Sequence, residues 1–112
     1  MEIRENNEIC IYAPLSTTIN ENESSRLITN IAKDSRKIGI DLINVNDCTI
    51  DFIENLKLIS FNKKISLFNI PSDIFILFNT MNIDKNVQLY VNELDFIEGS
   101  RQLLNRNFSI VL

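Results

Sequence analysis

Histidine is absent from the 112 residues, and glycine and cysteine occur twice each. Without an imidazole there is no Ser-His-Asp or Cys-His nucleophile system, no histidine general acid or base and no histidine-ligated metal. Gly39 and Gly99 are too few for a P-loop or a Gly-x-Gly-x-x-Gly turn, which makes nucleotide hydrolysis remote. Cys10 and Cys48 lie far apart inside apolar stretches and lack Cys-x-x-Cys spacing, so they read as buried free thiols, not as a zinc or redox site. No charged-then-apolar leader opens the chain, which points to a cytoplasmic protein and leaves the glycosylation patterns at Asn22-Glu23-Ser24 and Asn107-Phe108-Ser109 without meaning. No apolar run approaches the roughly 18 residues of a membrane span. The longest, around Ile74 to Phe78, is far shorter, and membrane insertion is not expected.

What is present belongs to a packed domain. Hydrophobic residues make up 45% and charged residues 23% of the sequence, a globular balance, and the length suits a single domain covering 1–112. Fifteen carboxylates against eleven cations give a net charge of -4, so the average surface repels phosphate backbones and anionic headgroups. Nucleic acid is therefore not an expected partner. Lys63-Lys64, the nearest thing to a basic cluster, reads as a solvated turn.

Along the chain, Glu8 to Pro14 is a β-branched and aromatic run behind the polar turn Glu5-Asn6-Asn7, and Ile3 before the turn predicts a short partner strand. Pro14, with no N–H to donate, ends the hairpin. Thr18 and Glu21 have capping-box spacing, with Asn22 a rival cap. Leu27, Ile28 and Ile31 then predict a helix over about 22–36, closed by Arg36 and Lys37 at its negative end. Ile38 to Ile43 reads as a central strand covered on both faces. A second helix should start near Thr49 or Ile50, with Ile53, Leu56 and Ile59 inward. The pattern repeats: a turn at Asn62-Lys63-Lys64, a strand at Ile65 to Phe68, and a helix opened by Pro71-Ser72-Asp73 with Ile74, Leu77, Phe78 and Met81 on one face. A strand at Val87 to Val91 follows, then a helix capped by Asn92 and carrying Leu94, Ile97, Leu103 and Leu104, and an apolar extended tail over Phe108 to Leu112. Strand and helix alternate at least three times, the signature of an α/β sheet with right-handed crossovers. Met81 and Phe75, Phe78 and Phe96 read as core.

The carboxylates Asp41, Asp47 and Asp51 surround the junction of the central strand and the second helix. A small enzyme or ligand-binding domain would use them in a crevice at the strand ends, where open α/β sheets hold their ligands. Asp51 in the first turn of a helix is equally what the helix dipole favours. Neither a metal nor a cofactor is expected, and the reading is of a protein that is not an enzyme.

The order of elements, a short hairpin, a helix, a strand reading Asp41-Leu42-Ile43-Asn44-Val45, a helix and further strand-helix units, resembles the sulphate-transporter and anti-sigma-antagonist (STAS) family over nearly the whole chain. Ile65-Ser66-Leu67-Phe68-Asn69-Ile70-Pro71 and Leu77 to Asp84 resemble that family's following strand and the end of its third helix. The resemblance implies a mixed sheet of four or five strands with helices packed on it. It also implies a protein-interaction module of bacterial-like signalling and transcription regulation, an anti-sigma-factor antagonist. Its partner would be an anti-sigma factor or kinase-like protein or, for a STAS subunit of a transporter complex, the transporter ATPase. Self-association as a homodimer stays open.

In that family an Asp-Ser-Ser-Gly-Leu segment starts the second helix. With Val45 on the family's valine, Thr49 falls at the Asp, Ile50 at the phosphorylated Ser, Asp51 at the next Ser, Phe52 at the Gly and Ile53 at the buried Leu. The partner-binding residues implied are Asp47, Thr49, Ile50 and Asp51. The departure is that Ile50 has no hydroxyl, so the switch that works by adding charge at a helix N-terminus is missing at its usual place. Three readings follow. Ile50 simply packs while Asp51 serves the helix dipole; or Asp51 supplies a permanent charge to a constitutive interface; or Thr49 is a displaced phosphoacceptor.

Overall fold

A computed structural model describes residues 1–99. Leu103, Leu104 and the expected extended tail at Phe108 to Leu112 lie outside the described residues. The hairpin forms as its turn chemistry dictates. Strands β1 (Glu2–Glu5) and β2 (Ile9–Ala13) pair antiparallel, and the Asn6 side chain accepts from the Glu8 and Ile9 amides, both at 2.8 Å, to close the turn. Residues Thr18–Ile19 form a two-residue strand, β3, before helix α1 (Glu21–Lys33). The remaining elements among the described residues are β4 (Lys37–Asp41), β5 (Asp47–Cys48), α2 (Ile50–Ile59), β6 (Ile65–Phe68), α3 (Ser72–Thr80), a 3-10 turn (Ile83–Lys85), β7 (Gln88–Leu89) and α4 (Glu93–Glu98).

The main sheet has the order β1-β2-β4-β6-β7, with β2, β4, β6 and β7 mutually parallel, so the α/β expectation of four to five strands in a mixed sheet holds. Strand alternation sorts its two faces. Cys10, Tyr12, Ile38, Ile40, Ile65, Leu67 and Leu89 pack with Leu27 and Ile31 of α1, Phe52, Ile53 and Leu56 of α2, and Ile74 and Phe78 of α3 in the main core. Ile11, Phe68, Tyr90 and Phe96 form a second cluster on the opposite face, beneath α4. Phe96 stacks on Phe68 with centroids 5.2 Å apart, and a Cβ at Gly39 would come within 2.6 Å of the Phe96 ring. Gly39 therefore marks the place where an aromatic ring lies directly on the central strand.

Several boundaries differ from the sequence expectation. Asn20, not Thr18 or Asn22, caps α1, its side chain accepting from the Glu23 amide at 2.9 Å, because Thr18 is drawn into β3 against β5. Helix α1 stops at Lys33, so Arg36 and Lys37 do not serve its negative end. The cause is a buried carboxylate. Asp34 accepts from Arg36 Nε (2.9 Å), Arg36 Nη2 (2.8 Å), the Arg36 amide (3.0 Å) and the Tyr12 hydroxyl (2.9 Å), which turns the chain into β4. Strand β4 ends at Asp41 and leaves Ile43 exposed, and only Gln88–Leu89 of the expected 87–91 strand pair in β7. In α4 Asp95 and Phe96 are buried, while Leu94 and Ile97 are exposed.

The Arg36 guanidinium, acting against the opposing effect of burial and helped by its own amide and the Tyr12 hydroxyl, holds the Asp34 carboxyl well below the usual carboxylate range. A carboxyl lowered on folding stabilises the protein above its unfolded value near about 3.9, and that contribution disappears as pH falls towards the folded value. Asp34→Asn is expected to lower stability by about 2 kcal/mol at neutral pH. In urea titrations carried down to about pH 2, the difference between the variant and the parent should narrow steadily below about pH 4. Curves that stay parallel across the acid range contradict this role.

Candidate functional site

The carboxyl ends of the parallel strands carry the residues singled out in the sequence. The connections 14–20 and 42–49 are sewn together there: the Asn46 and Asp47 amides donate to the Thr17 carbonyl at 2.7 and 3.1 Å, and the Thr49 amide donates to the Ile19 carbonyl at 3.1 Å. This pairing of β3 with β5 delivers the chain to the start of α2. Thr49 is the cap of that helix, extended in backbone, with its hydroxyl oxygen accepting from the Phe52 amide at 3.3 Å. Ile50 and Asp51 then occupy the first turn. Phe52, Ile53 and Leu56 are buried, which fixes the rotation of α2 and turns Ile50 outward.

Ile50 is 56% exposed, which removes the reading in which it simply packs. Asp47 is exposed and its carboxylate accepts from the Cys48 amide at 2.9 Å; exposed Asp51 accepts from the Asn55 amide side chain at 3.4 Å. Asn55 also donates to the buried Ser24 hydroxyl at 3.1 Å, tying α2 to α1. The four implied contact residues, Asp47, Thr49, Ile50 and Asp51, thus sit within one short segment at the surface.

Asp41 is a different kind of group. It is 4% exposed, and both oxygens are engaged: Oδ2 accepts from Arg4 at 2.9 Å, and Oδ1 accepts from the Ile43 amide and the Asn69 side chain, each at 3.0 Å. Asn69 adopts a left-handed backbone (φ 54°), which asparagine tolerates. Arg4 also pairs with Glu93 at 2.6 Å and Glu2 at 2.6 Å, and Asp41 foremost raises the guanidinium's proton affinity. One buried carboxylate so links the edge strand, the central strand, the turn after β6 and, through Arg4, the start of α4. It is buried with both oxygens engaged, and Asp47 and Asp51 stand outside this cluster. Among the described residues, no group of three or more carboxylates and thiols could hold a metal ion.

Neither thiol is activated. Burial, then the charge of Asp47, pushes the Cys48 thiol up to about 11, and burial raises that of Cys10.

Sequence reasoning missed the apolar residues that share this edge. Leu15 and Ile43 are 60% and 62% exposed, and Val91 and Leu94 are also outside the core. With Ile50 they place exposed aliphatic residues on three connections and two helix starts at the carboxyl ends of the strands. Their signal was an apolar residue isolated among cap and turn residues, as in Pro14-Leu15-Ser16 or Tyr90-Val91-Asn92. No lysine or arginine occurs in residues 14–20, 42–49, 69–71 or 90–92, and Glu21, Asp51, Asp73 and Glu93 occupy the first turns of the four helices. The helix dipoles favour these acids; Glu93 is paired with Arg4, and the other three, without an ion pair among the described residues, make an acidic rim around the aliphatic positions.

Two comparisons returned nothing: no protein-family model matches the sequence, and no curated protein matches it. No helix among the described residues is long and apolar enough to cross a membrane.

Proposed function

We propose that this chain is a non-enzymatic, cytoplasmic STAS-like interaction protein, an anti-sigma-antagonist-like regulator whose protein partner docks on the carboxyl edge of the sheet around the start of α2. The observation that carries this reading is Ile50, an aliphatic side chain held in the open by the burial of its helical neighbours, between the cap Thr49 and the charged Asp51. An antiparallel hairpin followed by parallel strands in sequential order also supports it. Exposed aliphatic residues inside an acidic rim suit a partner with an apolar contact ringed by lysine or arginine. Asp47, Thr49, Ile50 and Asp51 are the contacts.

The interface is constitutive. Ile50 cannot be phosphorylated, and the Thr49 oxygen already serves as the helix cap, half-buried. Intact mass after co-expression with candidate kinases should stay unchanged; a phosphate-sized increase that disappears in Thr49→Val restores a switching protein with Thr49 as phosphoacceptor. A permanent contact also fits the STAS subunit of a transporter complex. Affinity capture read by mass spectrometry separates the two: an anti-sigma or kinase-like protein supports the regulator, and a transporter ATPase replaces it.

A further inference from the structure

The opposite end of the molecule has the reverse charge character. Six of the eleven lysines and arginines, Lys33, Arg36, Lys37, Lys63, Lys64 and Lys85, lie at or beside the amino ends of the parallel strands. Three of them are already committed. Arg36 grips Asp34, Lys37 donates to the Phe96 carbonyl at 2.7 Å over the Phe96 ring, and Lys63 donates to the Asp34 carbonyl. Lys64 and Lys85 have no carboxylate partner among the described residues, and the charge of Lys64, after burial, contributes to lowering the proton affinity of Lys37. Among the described residues, Lys64 and Lys85 are therefore unpaired cations in a chain whose net charge is -4.

Lys63, Lys64 and Lys85 line one open groove of about 520 Å³, together with Asn62, Asn86 and Phe61. That volume falls in the range of small-molecule sites. Phe61 is 75% exposed, the most open large apolar side chain of the described residues, and it lines the same groove as the lysines. Lysine binds phosphate as a compact point charge, whereas a carboxylate is best matched by the planar fork of arginine. Among the described residues, the one arginine at this end already spends its fork on Asp34. A long polyanion would need further free cations beyond the groove, and Arg36 and Lys37 beside it are already engaged by Asp34 and the Phe96 carbonyl.

We propose that this groove binds a small organic di- or triphosphate, with its phosphoryl groups on Lys64 and Lys85 and its organic part against Phe61. The site is distinct from the partner face at the other end of the sheet and does not depend on it. Calorimetric titration of the full chain with ATP, tripolyphosphate and adenosine tests it. ATP should bind saturably at one site, more weakly as salt is raised. The double variant K64S/K85S should weaken ATP and tripolyphosphate alike by about tenfold or more. Phe61→Ala should weaken ATP and leave tripolyphosphate unchanged, and adenosine alone should give no measurable binding. All three positions are at the surface, and a retained melting temperature verifies that the variants fold. No saturable heat with ATP, equal binding by K64S/K85S, or an RNA oligonucleotide that binds more tightly than ATP overturns the proposal.

Discussion

Replacing Asp41 by alanine is expected to destabilise the protein by about 3 kcal/mol, because the loss strands several donors at once instead of weakening one bond. The Ile43 amide and the Asn69 side chain lose their acceptor, and Arg4 loses the only buried member of its three carboxylates. For a chain of this size the melting temperature should fall by about 10 °C. Asp41→Asn should cost less, since an amide oxygen can still accept from the Ile43 amide while the charge that holds Arg4 is gone. Thermal unfolding of both variants checks this. If alanine and asparagine behave like the parent, Asp41 is not the link between β1, β4 and the turn after β6. A catalytic role for it would then regain interest.

Ile50→Lys should do the reverse, leaving the fold intact and removing the function. The side chain is exposed, so a change in stability within about 0.5 kcal/mol is expected. Binding of the proposed partner should weaken by at least about tenfold, because an aliphatic contact is replaced by a charge facing the basic rim proposed for it. Ile43→Lys, on the neighbouring connection, should act in the same direction. A melting temperature together with a titration against the captured partner separates the two effects.

Local signals placed most of the elements. The Asn6-Asn7 turn and Pro14 bracketed the hairpin, Ile65 to Phe68 became a strand of those bounds, and Asn92 is the cap of α4, accepting from the Asp95 amide at 2.9 Å. What failed depended on residues distant in sequence. Thr18 had capping-box spacing with Glu21, yet it pairs with Asp47, and a two-residue parallel strand has no periodicity to detect. Helix α1 ends early because Asp34 meets Tyr12, which lies 22 positions earlier in the chain. Gly39 looked like an interruption of a strand, whereas its reason is the Phe96 ring above it.

The candidate site was legible as a segment but not as a surface. Asp47, Thr49, Ile50 and Asp51 were placed together at the start of α2, where the fold has them. The outward turn of Ile50 depends on Phe52, Ile53 and Leu56 all facing the core, and the company of Leu15, Ile43, Val91 and Leu94 depends on the sheet order. Neither can be read from one stretch of residues.

Site-specific photo-crosslinking from position 50 in the native cell tests the partner face most directly. A photoreactive phenylalanine analogue at position 50 should give one discrete protein adduct, lost when Ile43→Lys is added and absent when the probe replaces exposed Leu58 near the other end of α2. No adduct from position 50, or the same adducts from position 58, would contradict a partner bound at the start of the second helix.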